Sequence, residues 1–226
     1  MKNQYFGDIN DFWTYGLLRQ LQRQFDWSIA YFWLLTPDDG SNDGRKIDYL
    51  LSPEKYRNHD PELFDFLRNS INSNNRHLNV YENSDMTSDS FFISDLLPQN
   101  FHERKEYWLR HHQKIINTDL IFFDPDNGIS VPSVKKSSNN ANKYLWIEEL
   151  EHFKDLDSNL LIFQYFPRVE RESYLQKRVD EIRVIFKNSR IFSFSHAHIT
   201  FFLIENSKEK ISHFDESIFT GNLRTH

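Results

Sequence analysis

Asp119-Leu-Ile-Phe-Phe-Asp-Pro-Asp-Asn-Gly128 reads as one short strand running into a turn. Its four consecutive apolar residues show no polar alternation. That pattern belongs to a strand buried on both faces, as in a parallel sheet covered by helices. The run stops at Pro-Asp-Asn-Gly, which is turn chemistry throughout. Residues 28–35 (Ser-Ile-Ala-Tyr-Phe-Trp-Leu-Leu) and 159–166 have the same doubly apolar character. Segments with helical spacing lie between these runs. Residues 11–25 place Phe12, Tyr15, Leu18, Leu21 and Phe25 on one face. Residues 60–68 open on an Asp cap followed by proline, and 102–116, 143–153 and 172–186 also read as helices. Residues 77–82 and 90–94 read as short strands. Residues 190–195 and 199–204 meet at Ser-His-Ala-His, a connection so short that the two strands can only pair antiparallel. The expected fold class is α/β: a three-layer, Rossmann-like, mostly parallel sheet with a C-terminal antiparallel strand pair. One domain is expected over 1–205, with 206–226 as a tail packed on it or trailing from it.

Composition narrows the chemistry. The chain has 226 residues, and its 21 Phe, 10 Tyr and 5 Trp are ample material for one core. Its mean hydropathy of −0.68 therefore reflects a polar surface rather than disorder. With no cysteine, disulfides, thiolate zinc sites and Cys nucleophiles are excluded. The start Met1-Lys2-Asn3-Gln4 lacks the pattern of a secretion signal, and no apolar stretch approaches the roughly 20 residues of a membrane span. A cytoplasmic protein without a membrane partner is expected. A net charge of −6 gives no general attraction to nucleic acid, so such a partner would need a local basic strip.

Ligands of open parallel sheets sit at the carboxyl ends of the strands. Two loops there are expected to carry the chemistry, and three of the chain's 6 glycines, Gly40, Gly44 and Gly128, fall in them. In the first, Thr36-Pro37-Asp38-Asp39-Gly40-Ser41-Asn42-Asp43-Gly44, three carboxylates crowd together and would raise one another's pKa unless compensated. In the second, Asp124-Pro125-Asp126-Asn127-Gly128, the apolar strand sets Asp124 at the sheet edge and Pro125 stiffens the turn that carries Asp126 and Asn127. A third candidate is Gly7-Asp8-Ile9-Asn10-Asp11, where helix capping explains one Asp but not obviously two. Glu82, at the end of an expected strand, suits ribose hydroxyls. Gln164, Tyr165 and Arg168 follow the strand at 159–166 and suit a substrate. His196 and His198 would share a face on an extended chain and suit a metal or a base.

Taken together, the order of elements and the DLIFFDPDNG stretch resemble a class I S-adenosylmethionine-dependent methyltransferase over most of the chain. More narrowly, they are similar to the amino-methylating nucleic-acid enzymes, whose fourth strand ends in Asp or Asn, two prolines and an aromatic residue. The resemblance implies that Asp124 accepts hydrogen bonds from a target amine on a nucleobase or other carrier. It also implies that Asp38, Asp39, Gly40 and Glu82 lie toward the cofactor, and that the segment from Gly7 to Asp11 closes over its methionine end. Asp126 and Asn127 stand where the family has proline and the base-stacking aromatic residue. The residues also fit a divalent-metal nuclease or phosphohydrolase, with Asp38, Asp39, Asp43, Asp124 and Asp126 as hard oxygen ligands for Mg²⁺ or Mn²⁺. A non-catalytic nucleotide-binding or sensing module is the third reading.

Overall fold

A computed structural model describes residues 1–215 and 221–226 of the chain. Helix α1 (Ile9–Phe25) leads into β1 (Ile29–Phe32). Then come α2 (Pro53–Tyr56), α3 (Pro61–Asn72), α4 (Asn79–Glu82), β2 (Ser90–Ile93), α5 (Phe101–Ile115) and β3 (Leu120–Phe123). The second half holds β4 (Asn159–Tyr165), α6 (Arg171–Ile185), β5 (Arg190–His196), β6 (Ile199–Glu205) and β7 (Asn222–Thr225). Among the described residues these strands form one seven-stranded sheet in the order β2-β1-β3-β4-β6-β5-β7. Strand β1 pairs parallel with β2 and β3, and β3 pairs parallel with β4. Strand β6 runs antiparallel to both β4 and β5, so the closing hairpin inserts its second strand between its first strand and the parallel half. This is the expected Rossmann-like α/β architecture.

The sheet is covered on both faces because its strands are apolar on both. Ile29, Tyr31, Trp33, Leu120, Phe122 and Leu161 pack with Leu18, Leu21, Leu63 and Leu67 of α1 and α3. Their strand neighbours Ala30, Phe32, Ile121, Phe123 and Ile162 pack with Trp108 of α5 and Leu175, Val179 and Ile182 of α6. Local chemistry fixes the helix starts. Asp8 caps α1 by accepting from the Asn10 amide at 2.6 Å. Asp60 caps α3, with Pro61 as the first helical residue. Asp60 also pairs with Arg19 at 2.8 Å in a buried contact that ties α1 to α3.

Two expected elements differ. Residues 77–82 were expected as a strand, but they hold the helical turn α4, because Tyr81 packs flat on Tyr15 with ring centroids 4.1 Å apart. Within 143–153, expected as an α-helix, the backbone forms the 3-10 helix Ile147–His152 instead. There Glu149 reaches back to the Trp146 amide at 2.9 Å and holds the turn tight. Part of the expected tail supplies the edge strand β7 on β5. Residues 216–220, which belong to that tail, lie outside the described residues. No helix among the described residues is long and apolar enough to cross a membrane.

Candidate functional site

Strands β1 and β3 lie side by side, with Phe32 opposite Phe123, so the segments that follow them leave the same edge of the sheet. A cavity of about 440 Å³ opens there. Its wall is built from five places: the N-terminal segment (Met1, Tyr5), the start of α1 (Asp8, Asn10, Asp11, Thr14), the later part of the first loop (Asn42 to Lys46), the turn Asp124–Asn127, and Phe163 and Tyr165 of β4. Its size is within the usual range for small-molecule sites.

Asp124 is the floor of this cavity. It is only 6% exposed, yet no hydrogen bond among the described residues reaches its carboxylate. Its backbone is fixed instead, the amide donating to Phe32 at 2.9 Å and the carbonyl accepting from the Met1 amino nitrogen at 2.9 Å. Burial pushes its pKa up to about 7, with Asp126 and Asp8 adding to the rise and the Met1 amino group opposing it. Asp11 is pushed well above the carboxylate range, first by burial and then by Asp8 and Asp124. One of its oxygens accepts from the Gly7 amide at 2.9 Å and from the Tyr15 hydroxyl at 3.3 Å. Asp8 is also raised by burial, although its capping bonds oppose the shift. None of these three carboxylates forms an ion pair among the described residues. Asp126 differs: Met1 pairs with it at 2.8 Å and Thr36 donates to it at 2.8 Å, so its carboxylate is already engaged where it meets the cavity.

The turn that carries Asp126 and Asn127 needs its glycine. Gly128 has φ +84°, and a Cβ there would collide with the side chain of Gln164. Gln164 is in turn spent on the backbone, its Oε1 accepting from the Ile129 amide at 2.7 Å. Gln164 therefore stands behind the turn, while its neighbour Tyr165 faces the cavity and its hydroxyl accepts from Asn10 Nδ2 at 3.1 Å.

The residues expected at the site separate accordingly. Asp124, Pro125, Asp126, Asn127, Asp8, Asp11, Asp43 and Tyr165 line the cavity together. Asp38, Asp39 and Gly40 do not. Asp39 pairs with Lys2, Asp38 accepts from the Gln4 amide at 3.2 Å, and the Gly40 amide donates to Gln4 at 3.3 Å. The first half of that loop is thus occupied by the N-terminal segment, and Lys2 holds the Asp39 carboxyl well below its ordinary range. Gly7 supports Asp11 rather than facing the cavity. Glu82 is not at a strand end: it accepts from Trp33 Nε1 at 2.8 Å and from Ser94 at 2.6 Å. His196 packs on Trp13 with ring centroids 4.1 Å apart, whereas His198 and Arg168 are exposed outside the cavity wall. Ala197 between the histidines has φ +50°, which breaks the extended geometry that would have put them on one face. Among the described residues no group of three or more His, Asp or Glu is arranged to hold a metal ion. The five-carboxylate metal set read from the sequence is not assembled, because Asp38 and Asp39 turn away from Asp124.

Sequence reading missed Met1, Tyr5, Thr14, Arg45, Lys46 and Phe163 in the wall. Thr14 had a readable signal, a polar residue three places after Asp11 on an otherwise apolar helix face. Arg45 and Lys46 had none beyond following the acidic loop. The chain matches no protein-family model, and no curated protein matches it in sequence.

Proposed function

We propose that this chain is a methyltransferase-like domain that uses S-adenosylmethionine to methylate an amine carried by a nucleobase or another acceptor. The observation that carries the reading is Asp124: a buried carboxylate with no hydrogen-bond partner among the described residues, at the end of β3, facing a cavity of small-molecule size. The insertion of β6 between β4 and β5 supports the resemblance to the closing half of that fold.

The residues present fit the charge of the cofactor. When bound, S-adenosylmethionine supplies an electrophilic methyl group on a positively charged sulfur, and its methionine end carries an ammonium. Asp8, Asp11 and Asp124 would hold these cationic parts. The Asp43-to-Lys46 wall is left to contact the nucleoside. Asp124 accepts a hydrogen bond from the acceptor N–H and so orients the nitrogen lone pair. It then takes the proton that the nitrogen must lose once methylated. A carboxylate that titrates near neutrality suits that task. Asn127 offers an amide beside it, and Tyr165, fixed by Asn10, offers an aromatic wall to a flat acceptor.

Equilibrium titration of the full chain with S-adenosylmethionine tests the proposal. Saturable binding that weakens in Asp124→Ala is expected, and absence of binding at millimolar cofactor would remove it.

A further inference from the structure

We propose that the cavity between α5 and the 3-10 helix Ile147–His152 is a second binding site, for a flat aromatic ring that carries a phosphate, of the size of a nucleoside monophosphate. Phe101 and Trp108 take the ring, and Lys105 and His152 take the phosphate. The site shares no residue with the cavity above Asp124 and is independent of the chemistry proposed there.

The second cavity has a volume of about 400 Å³, close to that of the first. It lies against the other face of the sheet, where Trp108 packs with Phe32 and Phe123. Phe101, Lys105 and Trp108 recur at helical spacing on α5 and share one side of the groove. Glu148, Glu149 and His152 supply the other side. The aromatic wall is rigidly held. Trp108 is buried, its Nε1–H donates to Glu149 at 2.9 Å, and it meets Phe153 edge-on with ring centroids 5.6 Å apart. Phe101 stands edge-on to Trp146 at 6.0 Å, with the Lys136 ammonium over its ring at 4.0 Å. A pocket of this size, lined by rings and a few polar groups, suits a small planar molecule.

The charges left over in the wall select an anion. Both acids of the cavity are spent: Glu149 on Arg104, Trp108 and the Trp146 amide, and Glu148 on Lys136. The Lys105 ammonium forms no ion pair among the described residues. His152 faces Glu149 and Glu151 on its own element, and His112 and Lys105 on α5. Glu151 already pairs with Lys154 at 2.7 Å. Burial lowers the His152 pKa, Glu149 opposes the shift, and His112 and Lys105 add to it. A phosphate monoester brings about 1.5 to 2 negative charges at neutral pH and three acceptor oxygens. It would answer Lys105 and draw a proton onto His152. Binding should therefore take up protons near neutrality and weaken as pH rises from 6.5 to 8.

Calorimetric titration of the full chain with inosine 5′-monophosphate, inosine and ribose 5-phosphate tests this, at both pH values and in two buffers of different ionisation enthalpy. At pH 6.5 the monophosphate should bind at least about tenfold tighter than either fragment, with proton uptake. Lys105→Ala and His152→Ala should each weaken it about tenfold, whereas Asp124→Asn should leave it unchanged. Lys105 is exposed, so its replacement leaves the fold intact. Undiminished binding in Lys105→Ala, or loss in Asp124→Asn alone, would place the nucleotide elsewhere and overturn the proposal. Equal affinity for ribose 5-phosphate would remove the role of the aromatic wall and overturn it too. So would the absence of saturation at millimolar nucleotide, or binding of a single-stranded oligonucleotide alone, which would make this face a polyanion surface.

Discussion

Glu149 and Asp124 are both buried acids, and they are buried in opposite ways. Glu149 takes Arg104 Nε at 2.6 Å and Nη2 at 2.5 Å, Trp108 Nε1 at 2.9 Å and the Trp146 amide at 2.9 Å. Every lone pair it could offer has a use, and the result is a clamp between α5 and the 3-10 helix. Asp124 is as well hidden and has none of this. The difference teaches what burial alone does not: a satisfied buried charge is architecture, whereas an unsatisfied one facing a cavity is a site in waiting.

The largest effect should come from breaking the satisfied acid. Glu149→Ala leaves the Arg104 guanidinium buried without its partner and should cost about 3–5 kcal/mol in urea unfolding. A loss below about 1 kcal/mol would mean that the clamp is not one. Asp124→Asn should do the reverse. An unfolded Asp ionises near pH 3.9, while the folded Asp124 stays protonated up to about 7, so the native state binds the extra proton between those values. Its contribution to stability is therefore present at low pH and is lost as pH rises through 7. The Asn variant should gain on the order of 3 kcal/mol over wild type at pH 8, and little at pH 4, in unfolding curves at the two pH values. Equal stability at both would break the comparison. Tyr165→Phe removes only the bond from Asn10 and should cost less than about 1 kcal/mol while weakening nucleoside binding a few-fold. Smallest of all in binding, Asp39→Asn should leave cofactor affinity unchanged, because its carboxylate is engaged with Lys2 outside the cavity, while the unfolding midpoint falls slightly because Lys2 is buried.

Local chemistry made much of the fold readable. The doubly apolar runs around Phe32, Phe123 and Ile162 dictated a covered parallel sheet, and the short turn at Ala197 dictated the antiparallel close. Tyr81 was unreadable because its conformation answers to a ring on α1 rather than to its neighbours in sequence. The helix expected around Glu149 failed for a related reason, since that side chain is claimed by Arg104 on α5. At the site, Asp8, Asp11 and Asp124 could be found because a strand end and a doubled cap single them out. Asp38 and Asp39 carried the same turn signature, but their partners Lys2 and Gln4 lie far upstream and no local pattern announces them. Charge clustering in the sequence therefore overstated the first acidic loop and understated the convergence of α1 with β3.

Hidden, turned into the cavity and without a hydrogen-bond partner among the described residues, Asp124 should ionise near neutrality. Carbon-detected NMR titration of the aspartate carboxyl groups between pH 4 and 9, with Asp124→Asn to assign the resonance, measures this directly. The expected midpoint is near 7. A midpoint near the ordinary 4 of a solvated aspartate would contradict it.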